Sequence, residues 1–203
     1  DGWSDVILVK DFVRLYDAYK NNTSPDIEKL PLQYIDYAIW QRKYLTQDIL
    51  EQQLSYWEAC LSNTTSLALP TDYTRPAIQS TSGAIINYEL DAKMRTQLLS
   101  WSKEHGVTLF MTMLSAFKVM LYRYSGQEDI CVGTPIANRT HQELEGLIGF
   151  FINTLALRSQ LDGHGSFEEL VNQVKQVTLG AYDHQLVPFE KVVDRVVSVR
   201  DMS

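Results

Sequence analysis

Asp129-Ile-Cys-Val-Gly-Thr-Pro-Ile-Ala137 and Phe150-Phe-Ile-Asn-Thr-Leu-Ala-Leu157 are two short apolar runs either side of a polar connection, and they read as buried strands. Helical patterns flank them. Thr108 opens the most apolar, Leu109 to about Tyr124, with Gly126 beyond its end. Leu109, Phe110, Met111, Met113, Leu114, Phe117, Val119, Met120 and Leu121 make it apolar almost all round, which predicts burial on most sides. Ser166-Phe-Glu-Glu169 is a capping box opening a helix through about Gly180, and Pro188 suits the first turn of a short helix over Phe189–Val197. Strands and helices alternate without a Gly-rich phosphate loop. The fold class is therefore mixed α/β (α+β), a mixed sheet with packed helices.

Further towards the N-terminus, residues 4–20 repeat Val6, Leu8, Phe12, Leu15, Tyr16 and Tyr19 at helical spacing, with Ser4 as the expected cap and Asp5 in the first turn. Asn21-Asn-Thr-Ser-Pro25 stops that helix, and the polar stretch to Pro31 reads as a linker. A boundary near residues 21–33 divides the chain into 1–33 and 34–203. Two helices follow over about 34–44 and 47–61, then an exposed loop over 62–82. Ser82–Leu90 alternates Ala84, Ile86, Tyr88 and Leu90 against Ile85, Asn87 and Glu89, which predicts a strand. Asp91 caps a helix that Gly106 ends.

With 203 residues, 45% of them hydrophobic, the chain can bury a real core as one domain or two small lobes. It has no apolar run of about 18 residues, so no helix is expected to span a membrane. A net charge of −7 without a basic cluster argues against nucleic acid as a partner. Cys60 and Cys131 lack metal-ligand spacing and read as buried, reduced thiols of a cytoplasmic protein. His105, His141, His164 and His184 are scattered, and none pairs at ligand spacing. His105 suits a helix C-terminus and Gly163-His-Gly165 a surface turn. No Gly-x-Ser-x-Gly elbow occurs. The residues present assemble no catalytic set.

Five signatures in order change that reading: Asp1-Gly-Trp-Ser4, Tyr34-Ile-Asp-Tyr-Ala-Ile-Trp40, Ile148-Gly-Phe-Phe-Ile-Asn-Thr-Leu-Ala-Leu-Arg158, His184-Gln-Leu-Val-Pro-Phe-Glu190 and Arg200-Asp-Met-Ser203. Together with Leu69-Pro-Thr-Asp-Tyr-Thr-Arg-Pro76 and the run Val132–Arg139, they resemble the condensation domains of nonribosomal peptide synthetases. The resemblance covers nearly the whole chain and is most similar to the subtype joining an L-configured donor to an L-amino acid acceptor. In that family Asp-Gly closes a His-His-x-x-x-Asp-Gly motif, so the chain reads as a fragment without the catalytic histidine, inactive alone.

The resemblance implies a lobe similar to chloramphenicol acetyltransferase, one of two forming a V around a tunnel. Residues 1–33 would end the N-terminal lobe, and 34–203 would be most of the C-terminal one. Upstream and downstream peptidyl carrier domains would present aminoacyl groups on phosphopantetheine, with an adenylation domain adjoining. The domain itself would bind no cofactor and no metal. By the same resemblance, Asp1 and Arg139 would form a buried structural pair held by two parallel hydrogen bonds, with Gly2 permitting the turn. Trp3, Asn153, Thr154 and His184 would line the tunnel, with structural hydrogen bonding as the alternative for Asn153 and Thr154. The rival readings are a non-catalytic condensation-like module that docks carrier or tailoring proteins, and a free-standing acyltransferase of the same fold.

Overall fold

A computed structural model describes residues 1–27, 29–74 and 82–197. Its elements are α1 (Gly2–Lys20), α2 (Tyr34–Tyr44), α3 (Gln47–Leu61), α4 (Ala92–Glu104), α5 (Leu109–Ser125), β1 (Asp129–Ile136), β2 (Asn153–Gln160), α6 (Phe167–Asp183) and α7 (Phe189–Val196), with a 3-10 turn at Gln142–Leu144. The Arg200–Ser203 signature and the Arg75-Pro76 end of the spacer lie outside the described residues.

Local chemistry sets most helix limits. Thr108 Oγ1 accepts from the Met111 amide at 3.2 Å, and Gly126 ends α5 in the left-handed region at φ 70°. Asp91 caps α4, and Ser166 with Glu169 forms the reciprocal box that opens α6. α1 starts differently from expectation. Its N-cap is Asp1, whose carboxylate accepts from the Ser4 amide, so Ser4 sits inside the first turn and its hydroxyl can serve other partners.

β1 and β2 pair antiparallel from Asp129 opposite Gln160 to Ile136 opposite Asn153. The main core joins Leu54, Trp57 and Leu61 of α3, Met111 and Leu114 of α5, Leu155 and Leu157 of β2, and Val174 and Ala181 of α6. A smaller cluster of Tyr37, Leu144, Leu147 and Phe151 ties α2 to the 137–152 connection. Arg158 grips Asp129 through two bonds of 2.7 and 2.8 Å and donates to the carbonyls of Cys60 and Ser62, fastening the ribbon to the end of α3.

Three further expectations need correcting. The strand expected at 82–90 does not form: among the described residues the sheet holds β1 and β2 alone, and Ile85, Ile86 and Tyr88 are each more than 85% exposed. Alternation supplies a face, and a ladder still needs a neighbouring strand. β2 starts at Asn153 rather than Phe150, because side chains of Asp1, α1 and α2 hold the backbone of Gly149, Phe150 and Phe151. Finally, α5 is buried on one side only. Phe110, Met113, Phe117, Met120 and Tyr124 face outward, while Thr112, Ser115 and Lys118 are buried with Met111, Leu114 and Leu121. Apolar side chains all round do not guarantee neighbours all round. The inward polar groups are satisfied: Lys118 Nζ donates to Leu157 O and Ser159 Oγ, both at 2.7 Å.

Candidate functional site

The first turn of α1 and the connection between the strands meet at a buried polar junction. Asp1 Oδ1 accepts from the Ser4 amide at 2.9 Å, and Oδ2 accepts from the Phe151 amide at 3.0 Å. Ser4 Oγ lies 2.8 Å from both Asp1 Oδ1 and Gly149 O, and it accepts from Gly149 N at 3.1 Å and from Arg139 Nη2 at 3.0 Å. Glycine is the residue that fits at 149, since a Cβ there would run into the Tyr34 ring and come within 2.9 Å of Phe151 Cε2.

Arg139 follows Asn138, which takes φ 52° and turns the chain inward. Arg139 Nη1 donates to the carbonyls of Leu144 and, at 2.8 Å, Leu147. Its guanidinium lies over Phe151, 4.1 Å from the ring centroid, and 5.7 Å from that of Trp3. Arg139 Nη2 stands 3.5 Å from Asp1 Oδ1. This is a single contact rather than the expected fork: Nη1 serves the two carbonyls, Nη2 is shared with Ser4, and Nε is buried without a hydrogen-bond partner. Burial lowers the Arg139 pKa from its usual value, and the group nevertheless keeps its charge.

Beside this junction lies an apolar cleft of about 680 Å³, with Asp1, Gly2, Trp3, Val6 and Ile7 on one side. Pro135, Ile136, Ala137 and Ile152 form the other side. Trp3 also donates through Nε1 to Glu145 O at 3.0 Å. Asp1 carries the one titratable side chain in the lining, and its oxygens are already engaged. The cleft can hold an apolar chain in place; among the described residues it has no free acidic or basic side chain for proton transfer.

The structure brings Asp1, Gly2, Trp3 and Arg139 together and places Asn153, Thr154 and His184 outside this cleft's lining. Asn153 donates to Gln185 O and Val187 O at 2.8 and 2.7 Å and accepts from Phe189 N at 3.0 Å. Thr154 sits opposite Pro135 in the ladder. His184 ends α6, bonds Gly180 O through Nδ1 and stacks on Tyr56 with centroids 3.7 Å apart. His105 stacks on Trp101 and His141 meets Trp40 edge-on. Sequence reasoning missed Ser4 and Gly149 as site residues. For Gly149 the signal was a glycine between bulky residues; Ser4 carried none, because at a helix start a serine reads as a cap.

A family model described as Condensation domain matches residues 1–203. One linear gramicidin synthase protein of Brevibacillus parabrevis is 52% identical over 204 residues, spanning 100% of this chain and 4% of that protein. Among solved structures, the X-domain from teicoplanin biosynthesis superposes with a TM-score of 0.90 at 27% identity, covering 100% of this chain and 46% of that one. A complex of the X-domain and OxyB from teicoplanin biosynthesis gives 0.89 at 29% identity, with coverage of 100% and 46%.

Proposed function

We propose that this chain, which belongs to the condensation-domain family, supplies part of a domain that forms peptide bonds between carrier-bound aminoacyl thioesters in nonribosomal peptide synthesis. In that reaction the acceptor amine attacks the donor thioester carbonyl. The C–N bond forms, the C–S bond breaks, the phosphopantetheine thiol leaves, and the amine gives up a proton. The observation that carries the reading is the buried Asp1–Ser4–Arg139 junction beside an apolar cleft, in a chain 52% identical to a stretch of a gramicidin synthase.

The residues here position rather than react. Holding two reactants converts a bimolecular step into a local one, which can supply much of a rate enhancement. The cleft's lining holds no free basic side chain among the described residues and none of the chain's four histidines, which supports the proposal that these 203 residues alone form no amide. The outward apolar face of α1 would be covered by the other lobe of the domain. Carrier domains and an adjoining adenylation domain would be the partners, and two free cysteines suit a reducing, cytoplasmic setting. Among the described residues no single helix is long and apolar enough to cross a membrane.

The complex of the X-domain with OxyB favours a second reading, a docking module without peptide-bond chemistry. The deciding experiment incubates the full-length protein with donor- and acceptor-loaded carrier domains and measures amide product by mass spectrometry. Product above the uncatalysed background supports condensation, with none from the 203-residue chain alone. Carrier binding without product in the full-length protein overturns condensation and leaves docking.

A further inference from the structure

We infer that Ser4 is a positioning residue whose hydroxyl sets the spacing between the two walls of the cleft; this rests on the condensation reading above. Ser4 is 4% exposed and belongs to none of the apolar core clusters. Its oxygen accepts from Arg139 Nη2 and Gly149 N, which uses both lone pairs. Its one proton has two acceptors at 2.8 Å, Asp1 Oδ1 and Gly149 O. The carboxylate is the stronger acceptor, because a bond to an ionised group is about twice as strong as a neutral one.

The location of this oxygen gives it a role beyond local satisfaction. α1 makes no extensive packing contact with another helix or strand among the described residues. Polar bonds in its first turn, including Trp3 to Glu145, carry its attachment to the connection. That same turn contributes Asp1, Gly2 and Trp3 to one wall, and Ile152, next to the Phe151 held by Asp1, belongs to the other. The Ser4 and Asp1 bonds therefore join wall to wall. Loss of the hydroxyl frees Gly149 and widens or skews the cleft while leaving the core in place. A displacement of about 1 Å in a positioning element can lower a rate by about a hundredfold.

The test uses the full-length protein with Ser4→Ala and Ser4→Thr. Amide formation at saturating loaded carriers should fall by roughly 10- to 100-fold in Ser4→Ala, with KM for either carrier changed less than about threefold. Ser4→Thr, which keeps the hydroxyl, should recover a substantial part of kcat. Amide hydrogen exchange at Gly149 and Phe151 should quicken in Ser4→Ala while the β1–β2 ladder stays protected. Unchanged kcat in Ser4→Ala overturns the inference, as does unchanged exchange at those two amides. So does a loss of activity that merely follows the unfolded fraction and is not recovered by Ser4→Thr. If the unsubstituted protein forms no amide, the condensation reading itself fails, and exchange then decides on its own whether Ser4 holds the wall.

Discussion

Asp1 and Arg139 meet at a single buried contact of 3.5 Å, with side chains 5% and 2% exposed. The guanidinium is held as much by the carbonyls of Leu144 and Leu147 as by the acid. Arg139→Ala would strand a carboxylate and two carbonyls together. Breaking one partner of a buried pair costs about 3–5 kcal/mol, so urea unfolding of the full-length domain should show a loss of that order. Arg139→Lys should recover only part, since one ammonium cannot serve all these acceptors. A variant within about 1 kcal/mol of the parent would contradict the pairing.

Asp129 gives a prediction at acid pH. The Arg158 bonds hold its carboxyl below the usual carboxylate value. A lowered folded-state pKa contributes stability above the unfolded value, about 3.9, that is lost as pH falls through the folded one. Asp129→Asn should therefore be less stable than the parent near pH 7, and the difference should close below about pH 4. A gap that stays constant down to acid pH would show that the charge is not what Arg158 recognises.

Lys118 acts in the opposite direction at alkaline pH. Burial, the first cause of its shift, lowers its pKa from 10.5 to about 8. The unfolded chain then binds more protons than the folded one between those values, so stability from this group rises with pH across that window. Relative to Lys118→Met, the parent should gain about 2–3 kcal/mol from pH 8 to about 10.5, at 1.36 kcal/mol per unit. Taking the difference removes most of the opposing effect of Tyr37 and Tyr56, whose pKa values burial raises. Parallel stability curves for the two proteins would refute it.

The outer face of α1 carries Val9, Phe12 and Tyr16, each more than half exposed. An apolar patch of this kind marks an interface. Light scattering on the 203-residue chain should show concentration-dependent association, which Phe12→Glu with Val9→Glu should weaken. A monomer at all concentrations would count against a second lobe covering that face.

Local rules made the helices legible. Thr108, Asp91, Gly126 and the Ser166–Glu169 box act within four residues of themselves, and a linear reading finds them. The alternation at 82–90 and the apolar girth of α5 misled because burial depends on what lies opposite, which no single segment encodes. In the site, Asp1 and Arg139 stood out through family resemblance alone. Ser4 stayed hidden because its hydroxyl looks like a cap until the Gly149 backbone and Arg139, far along the chain, are seen around it.

The amide of Asn153 has a consequence for which sequences this position can accept. One end donates to two carbonyls and the other receives an amide proton, so the side chain behaves as a strand partner for residues 185–189. Aspartate offers no donors, leucine offers neither function, and glutamine carries one methylene too many. Every near-isostere fails on a different count. A library randomised at codon 153 and sorted for folded protein should return asparagine almost alone, while the neighbouring codon for Ile152, on the cleft wall, should admit several aliphatic residues.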